Sequence, residues 1–132
     1  MGELLNDRLI RVLLVDDHLL ILHALSSFLS VHSDIRVAGI AESGKKGVQL
    51  AKKIKPDVIL MDIDMPRMDG LEATKMIHSE FPRIRIIGLS IHDGDGKAAA
   101  MLEAGASAYC RKGGDNDILL SAIRGKAEGP KP

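Results

Sequence analysis

The chain has 132 residues, 45% of them apolar, enough for one continuous core and too short for two domains of ordinary size. Aromatic residues make up only 2%, so the core has to be built from Val, Ile, Leu, Met and Ala. Eighteen basic residues balance eighteen acidic ones, which excludes a protein that grips a nucleic-acid backbone by its own net charge.

Five short aliphatic runs follow one another, each trailed by a polar or Gly-bearing loop and then by a longer stretch with apolar residues at helical spacing. After an N-terminal extension (1–8), the first run covers 10–15 and its helix 18–31. The second strand is expected at 35–40, with a helix over 43–54 whose N-terminus Ser43 can cap. The third is expected at 58–61 with a helix over 70–80, and the fourth at 84–89 with a helix over 97–104 that Gly105 stops. The fifth is expected at 106–110, followed by a helix over 115–126 capped by Asp115. Pro56, Pro66 and Pro82 fall between elements, and 127–132 reads as a tail or truncated linker. Runs such as Val12-Leu13-Leu14-Val15 and Val58-Ile59-Leu60-Met61 lack apolar/polar alternation, the mark of parallel strands buried on both faces.

The single Cys110 excludes an internal disulfide, and no signal-peptide pattern opens the chain, so a reducing, cytoplasmic setting is expected. No apolar run approaches the roughly 20 residues that span a bilayer, and Met1-Gly2-Glu3-Leu4-Leu5-Asn6 is no myristoylation signal. No membrane partner is expected.

In an open parallel sheet, ligands bind beyond the carboxyl ends of the strands. Here the first run is followed by Asp16-Asp17, the third by Asp62, the fourth by Ser90, and the fifth by Lys112 two residues on. Three crowded carboxylates need a cation to neutralise them, and oxygen ligands favour a hard one, Mg²⁺. A hydroxyl and an ammonium opposite would hold the remaining oxygens of a transferred phosphoryl group.

Each residue has a plainer reading. An acidic pair ending a strand is more often a helix cap than a metal site, and Ser90 and Lys112 are individually ordinary loop residues. Tyr109 alone would be a half-buried strand tyrosine, Cys110 a small core residue, and the methionines packing. His18, His23, His32, His78 and His92 share no metal-ligand spacing and read as structural or surface residues, His92 standing out only for its place two residues past Ser90. The segment Gly39-Ile40-Ala41-Glu42-Ser43-Gly44-Lys45-Lys46 nearly spells a P-loop but has Lys46 where a metal-binding Ser or Thr is needed. Asp62-Ile63-Asp64 resembles the Asp-x-Asp of haloacid-dehalogenase-type phosphatases, a weaker alternative, because in that superfamily the acidic pair comes last and here it comes first.

Four ordered segments carry a closer resemblance: Ile10-Arg11-Val12-Leu13-Leu14-Val15-Asp16-Asp17-His18; Asp62-Ile63-Asp64-Met65-Pro66-Arg67-Met68-Asp69-Gly70; Gly88-Leu89-Ser90; and Gly105-Ala106-Ser107-Ala108-Tyr109-Cys110-Arg111-Lys112. In order and spacing they resemble the receiver domain of two-component response regulators over residues 9–126, and Asp-Asp-His with Ala122-Ile123-Arg124 resembles the NarL/LuxR-type subgroup. The resemblance implies a doubly wound, flavodoxin-like α/β fold of five parallel strands in order 2-1-3-4-5, with helices on both faces. It implies a phosphorylation switch rather than a turnover enzyme, with Asp62 as phosphoacceptor and Asp16, Asp17, Asp62 and the backbone carbonyl of Asp64 around Mg²⁺. Asp17 would bind directly and Asp16 through water. Ser90 and Lys112 would contact the phosphoryl oxygens, and Tyr109 would be the switch position. Asp64 and His92, each two residues past a key group, would tune the phosphoryl lifetime. The implied partners are a sensor histidine kinase, DNA only through an output module outside the chain, and a second copy through the fourth helix, fifth strand and fifth helix; a stand-alone receiver is the other arrangement. Two departures stand out: Gly113-Gly114 replaces the proline that many members carry after the lysine, and Asp93-Gly94-Asp95-Gly96 raises the entropic cost of starting the fourth helix, predicting a short or mobile one.

Overall fold

The computed structural model describes residues 9–65, 70–91 and 96–125. It is an alternating βα chain: β1 (Ile10–Val15), α1 (Leu19–Ser30), β2 (Ile35–Ala41), α2 (Gly44–Ile54), β3 (Val58–Asp62), α3 (Gly70–Glu80), β4 (Arg85–Ser90), α4 (Lys97–Ala104), β5 (Ala108–Arg111) and α5 (Asn116–Arg124). All five strands pair in parallel in the order β2-β1-β3-β4-β5. The winding reverses between β1 and β3, which opens a crevice at their carboxyl ends.

The sheet is buried on both sides because successive residues of each strand feed different layers. Leu13, Val15, Ile59 and Met61 pack with Val48 and Ala51 of α2, Ala73 and Ile77 of α3 and Met101 of α4. Val12, Leu14, Val58 and Leu60 pack with Leu22 and Leu29 of α1 and Leu119, Leu120 and Ile123 of α5. Burying each such leucine or isoleucine contributes about 1.5–3 kcal/mol, so this double layer is the main stabilising feature.

Ser43 caps α2 by accepting from Lys46 N at 3.1 Å, and Asp115 caps α5 by accepting from Asp117 N at 2.8 Å. Pro56 and Pro82 lie between elements, while Pro66 is outside the described residues. α4 is eight residues long, as the glycine-rich approach predicts, with Gly96 left-handed before it. β5 starts at Ala108 rather than at Ala106: the end of α4 takes the Ala106 N–H, and Ser107 N–H makes the first bond to β4, at Ile86 O. Gly105, at φ 120°, donates to Leu102 O, and Ala106 N donates to Met101 O at 2.9 Å. α5 ends at Arg124, short of the expected Lys126, because Gly125 turns left-handed at φ 73° and donates its N–H to Ala122 O as the C-cap; Lys126 itself lies outside the described residues. The last turn of α5 is held from two sides: Arg124 makes a two-pronged pair with Asp34 (2.8 and 3.0 Å), and Arg85 donates to Ala122 O and to Ile123 O. No helix among the described residues is long and apolar enough to cross a membrane.

Candidate functional site

The strand ends and the first loop residues bring the chemistry together. Asp16 continues β1 by donating its N–H to Ala41 O at 3.0 Å, Asp62 closes β3 opposite Leu89, and Ser90 closes β4. Lys112 follows β5, its N–H donating to Ser90 O at 2.9 Å. The Lys112 loop turns on Gly113, left-handed at φ 73°, with Gly114 N donating to Arg111 O at 3.1 Å, so the two glycines form a tight turn in place of a proline. The start of α3 lies so close that a Cβ on Gly70 would strike the backbone of Asp62 and Ile63. Glycine at position 70 is therefore what lets that helix sit against the end of β3.

Lys112 Nζ lies 2.8 Å from Asp16 Oδ2 and 3.0 Å from Asp62 Oδ1. These are ion-pair contacts, and among the described residues neither the ammonium nor Asp16 Oδ2 makes a directed hydrogen bond. Asp62 Oδ1 also accepts from Asp64 N at 3.0 Å. Asp62 is fully buried, and its Oδ2 has no hydrogen-bond partner among the described residues. Asp16 Oδ1 accepts from His18 N at 2.9 Å, and the His18 ring places Nδ1 3.0 Å from that oxygen and 3.1 Å from Asp17 Oδ1. Ligand-type atoms of Asp16, Asp17, His18 and Asp62 all lie within 4.8 Å of one another.

Burial pushes the Asp62 carboxyl above the usual carboxylate range, against the opposing pull of Asp64 N and Lys112. Burial acts the same way on Asp16, but there the Lys112 contact and the His18 bonds win, and the carboxyl is held below its ordinary value. Burial disfavours the Lys112 ammonium, yet Asp16 and Asp62 outweigh it and keep the group charged. The arrangement therefore carries more carboxylate than one lysine balances, and Asp62 Oδ2 has no hydrogen-bond partner among the described residues. It is an oxygen-rich acidic cluster compatible with a hard divalent cation such as Mg²⁺.

Ser90 is buried, and its Oγ donates to Asp64 Oδ2 at 3.0 Å; Asp64 also forms an ion pair with Lys97 at the start of α4. Tyr109 is half-buried against the α2/α3/α4 layer, beside Gly88. The crevice gathers Asp16, Asp17, Asp62, Asp64, Ser90 and Lys112, and His92 lies outside the described residues. Sequence reasoning missed two members. His18, read there as a structural or surface residue, joins the acidic cluster, and its position directly after Asp16-Asp17 was the available signal. Lys97 pairs with Asp64 across 33 positions, for which no local pattern exists.

Residues 12–124 match the family model described as the response regulator receiver domain. The chain is 44% identical over 121 residues to the transcriptional regulatory protein LiaR of Bacillus subtilis, covering 92% of this chain and 57% of that protein. It is 36% identical over 129 residues to the transcriptional regulatory protein DegU of Brevibacillus brevis, covering 98% and 55%. The chain thus spans about half the length of the curated relatives it matches. Among solved structures, the response regulator domain of Thermotoga maritima CheB superposes with a TM-score of 0.82 at 34% identity, over 89% of this chain and 96% of that one. The receiver domain of the NarL response regulator of Mycobacterium tuberculosis gives 0.82 at 28% identity, over 90% and 99%.

Proposed function

The chain belongs to the response regulator receiver domain family, a family of phosphoacceptor switches, and on that premise we propose that Asp62 accepts a phosphoryl group from a sensor histidine kinase in the cytoplasm. The observation that carries this reading is Asp62 itself: fully buried at the end of β3, one oxygen held by Asp64 N and Lys112, the other without a hydrogen-bond partner among the described residues. Oδ2 attacks phosphorus as the P–N bond of the kinase's phosphohistidine breaks and the imidazole leaves with the electron pair, while Lys112, beside Oδ1, opposes the burial that raises this carboxyl. Asp17 would be the direct metal ligand, Asp16 would act through water, and Asp62 and the Asp64 carbonyl would complete the protein's share. Mg²⁺ held there would neutralise the carboxylates and stabilise charge on the phosphoryl oxygens.

Ser90 Oγ, bonded to Asp64 in this structure, has to turn away from it to reach a phosphoryl oxygen, and that exchange loosens the Asp64–Lys97 tie to α4. The new charge is thereby transmitted to α4, and through Met101 to Tyr109, so that α4, β5 and α5 form the signalling face of a receiver unit covering residues 9–126. That face serves a second copy or an output module. That LiaR and DegU are transcriptional regulatory proteins supports an output that regulates transcription, by contact with DNA outside this chain. Asp64 and His92 set the phosphoryl lifetime.

A phosphatase of the haloacid-dehalogenase type uses a comparable Asp-x-Asp, and the two readings part on stoichiometry. Treated with acetyl phosphate, the chain should gain a single phosphoryl group by intact mass, only with Mg²⁺ present, and should release no phosphate beyond the slow decay of that adduct. Sustained turnover of a generic phosphate ester, or labelling unaffected by chelator, would contradict the proposal.

A further inference from the structure

His18 has no part in the phosphoryl chemistry, yet it sits inside the carboxylate cluster. It occupies the N-cap position of α1 without making a side-chain cap bond, and its ring is 55% exposed, so it carries neither the helix start nor the core. What the ring does meet is two carboxylates, with Nδ1 3.0 Å from Asp16 Oδ1 and 3.1 Å from Asp17 Oδ1. Donor atoms held about 2.1 Å from an octahedral ion stand about 3 Å apart when adjacent and about 4.2 Å apart when opposite. The 3.1 Å between His18 Nδ1 and Asp17 Oδ1, the direct ligand, matches the adjacent spacing, while the 3.0 Å contact to Asp16 Oδ1 is a hydrogen bond in this structure that a bound ion would replace. Asp62 adds an independent pointer, since its buried Oδ2 has no partner among the described residues.

We infer that His18 Nδ1 is a metal ligand, making this a mixed nitrogen–oxygen site that accepts borderline transition-metal ions such as Mn²⁺, Co²⁺ and Zn²⁺ as well as Mg²⁺. The inference rests on the reading of the carboxylate cluster as a cation site and refines which cations it takes. Imidazole adds little for Mg²⁺, which prefers oxygen and retains its waters, but strengthens binding of ions that favour nitrogen. Coordination displaces the proton from Nδ1, so the ring binds neutral.

The test compares the parent chain, His18→Ala and Asp17→Asn at about pH 8, above the ordinary imidazole range. Calorimetry follows Mg²⁺ and Co²⁺, and pulsed electron paramagnetic resonance of the Mn²⁺-loaded chain reads nitrogen hyperfine coupling. The parent should show nitrogen coupling that His18→Ala lacks. His18→Ala should lose at least about tenfold in Co²⁺ affinity, the lower end for disturbing even an outer-shell partner of a metal ligand, while Mg²⁺ affinity changes less than about twofold. Asp17→Asn should weaken both ions. Mn²⁺ bound by the parent without nitrogen coupling, or equal Co²⁺ affinity in the parent and His18→Ala, overturns the ligand role and leaves the cation site standing. A parent chain that binds neither Mg²⁺ nor Mn²⁺ overturns the cation site and the ligand role together.

Discussion

Lys112 and Ser90 hold different positions relative to Asp62. The lysine already touches the carboxylate at 3.0 Å, whereas the serine is bonded to Asp64 and has to move before it meets a phosphoryl group. Ser90→Ala should therefore leave labelling of Asp62 within about twofold while weakening the conformational response, read as amide chemical-shift changes along α4 and β5. Full response with lost labelling would be the wrong pattern. Under the proposal that Asp64 and His92 tune the phosphoryl lifetime, Asp64→Ala and His92→Ala should change the dephosphorylation rate, with a tenfold change equal to about 1.4 kcal/mol of barrier. Rates within about twofold of the parent for both variants would remove them from any lifetime role.

Among the helices, α5 leads toward the end of the chain, and its final turn is pinned to the sheet by Arg85 and to the α1–β2 turn by Asp34. The Arg124 guanidinium beside Asp34 holds that carboxyl below its ordinary value, so the pair stabilises the fold above about pH 4 and its contribution fades as pH falls through the lowered value. Both side chains are partly exposed, which limits the pair to about 0.5–1 kcal/mol. Urea unfolding of Arg124→Ala should show that deficit at pH 6 and a smaller one near pH 3; an unchanged gap would assign the effect to packing rather than charge. These long-range clamps were invisible in the sequence, because Arg124 and Asp34 are 90 positions apart. The strands were legible from aliphatic runs and the helix starts at α2 and α5 from Ser43 and Asp115, since those signals are local. The start of β5 was misplaced by two residues where the α4 cap competes for the same backbone. Gly70 appeared only as one letter of a motif, although the backbone it lets pass explains why no larger residue fits.

Taken whole, the molecule is a parallel sheet whose two buried faces fix the strand ends, and the strand ends fix the acidic cluster. The carboxylates, serine and lysine were readable because the topology makes "after a strand" a location in space, and His18 could have been read from its place after Asp16-Asp17, while Lys97 required coordinates. With a formal net charge of zero, the isolated chain should not shift duplex DNA at physiological salt, and a salt-dependent shift would put nucleic-acid contact within the receiver itself. The identity of the phosphoacceptor is decided most directly by chemical trapping. After acetyl phosphate and Mg²⁺, borohydride reduces an aspartyl phosphate to homoserine, which peptide mass spectrometry locates. The account predicts homoserine at position 62 alone, absent without Mg²⁺ and absent in Asp62→Asn; homoserine at position 16, 17 or 64 in the parent chain would contradict it.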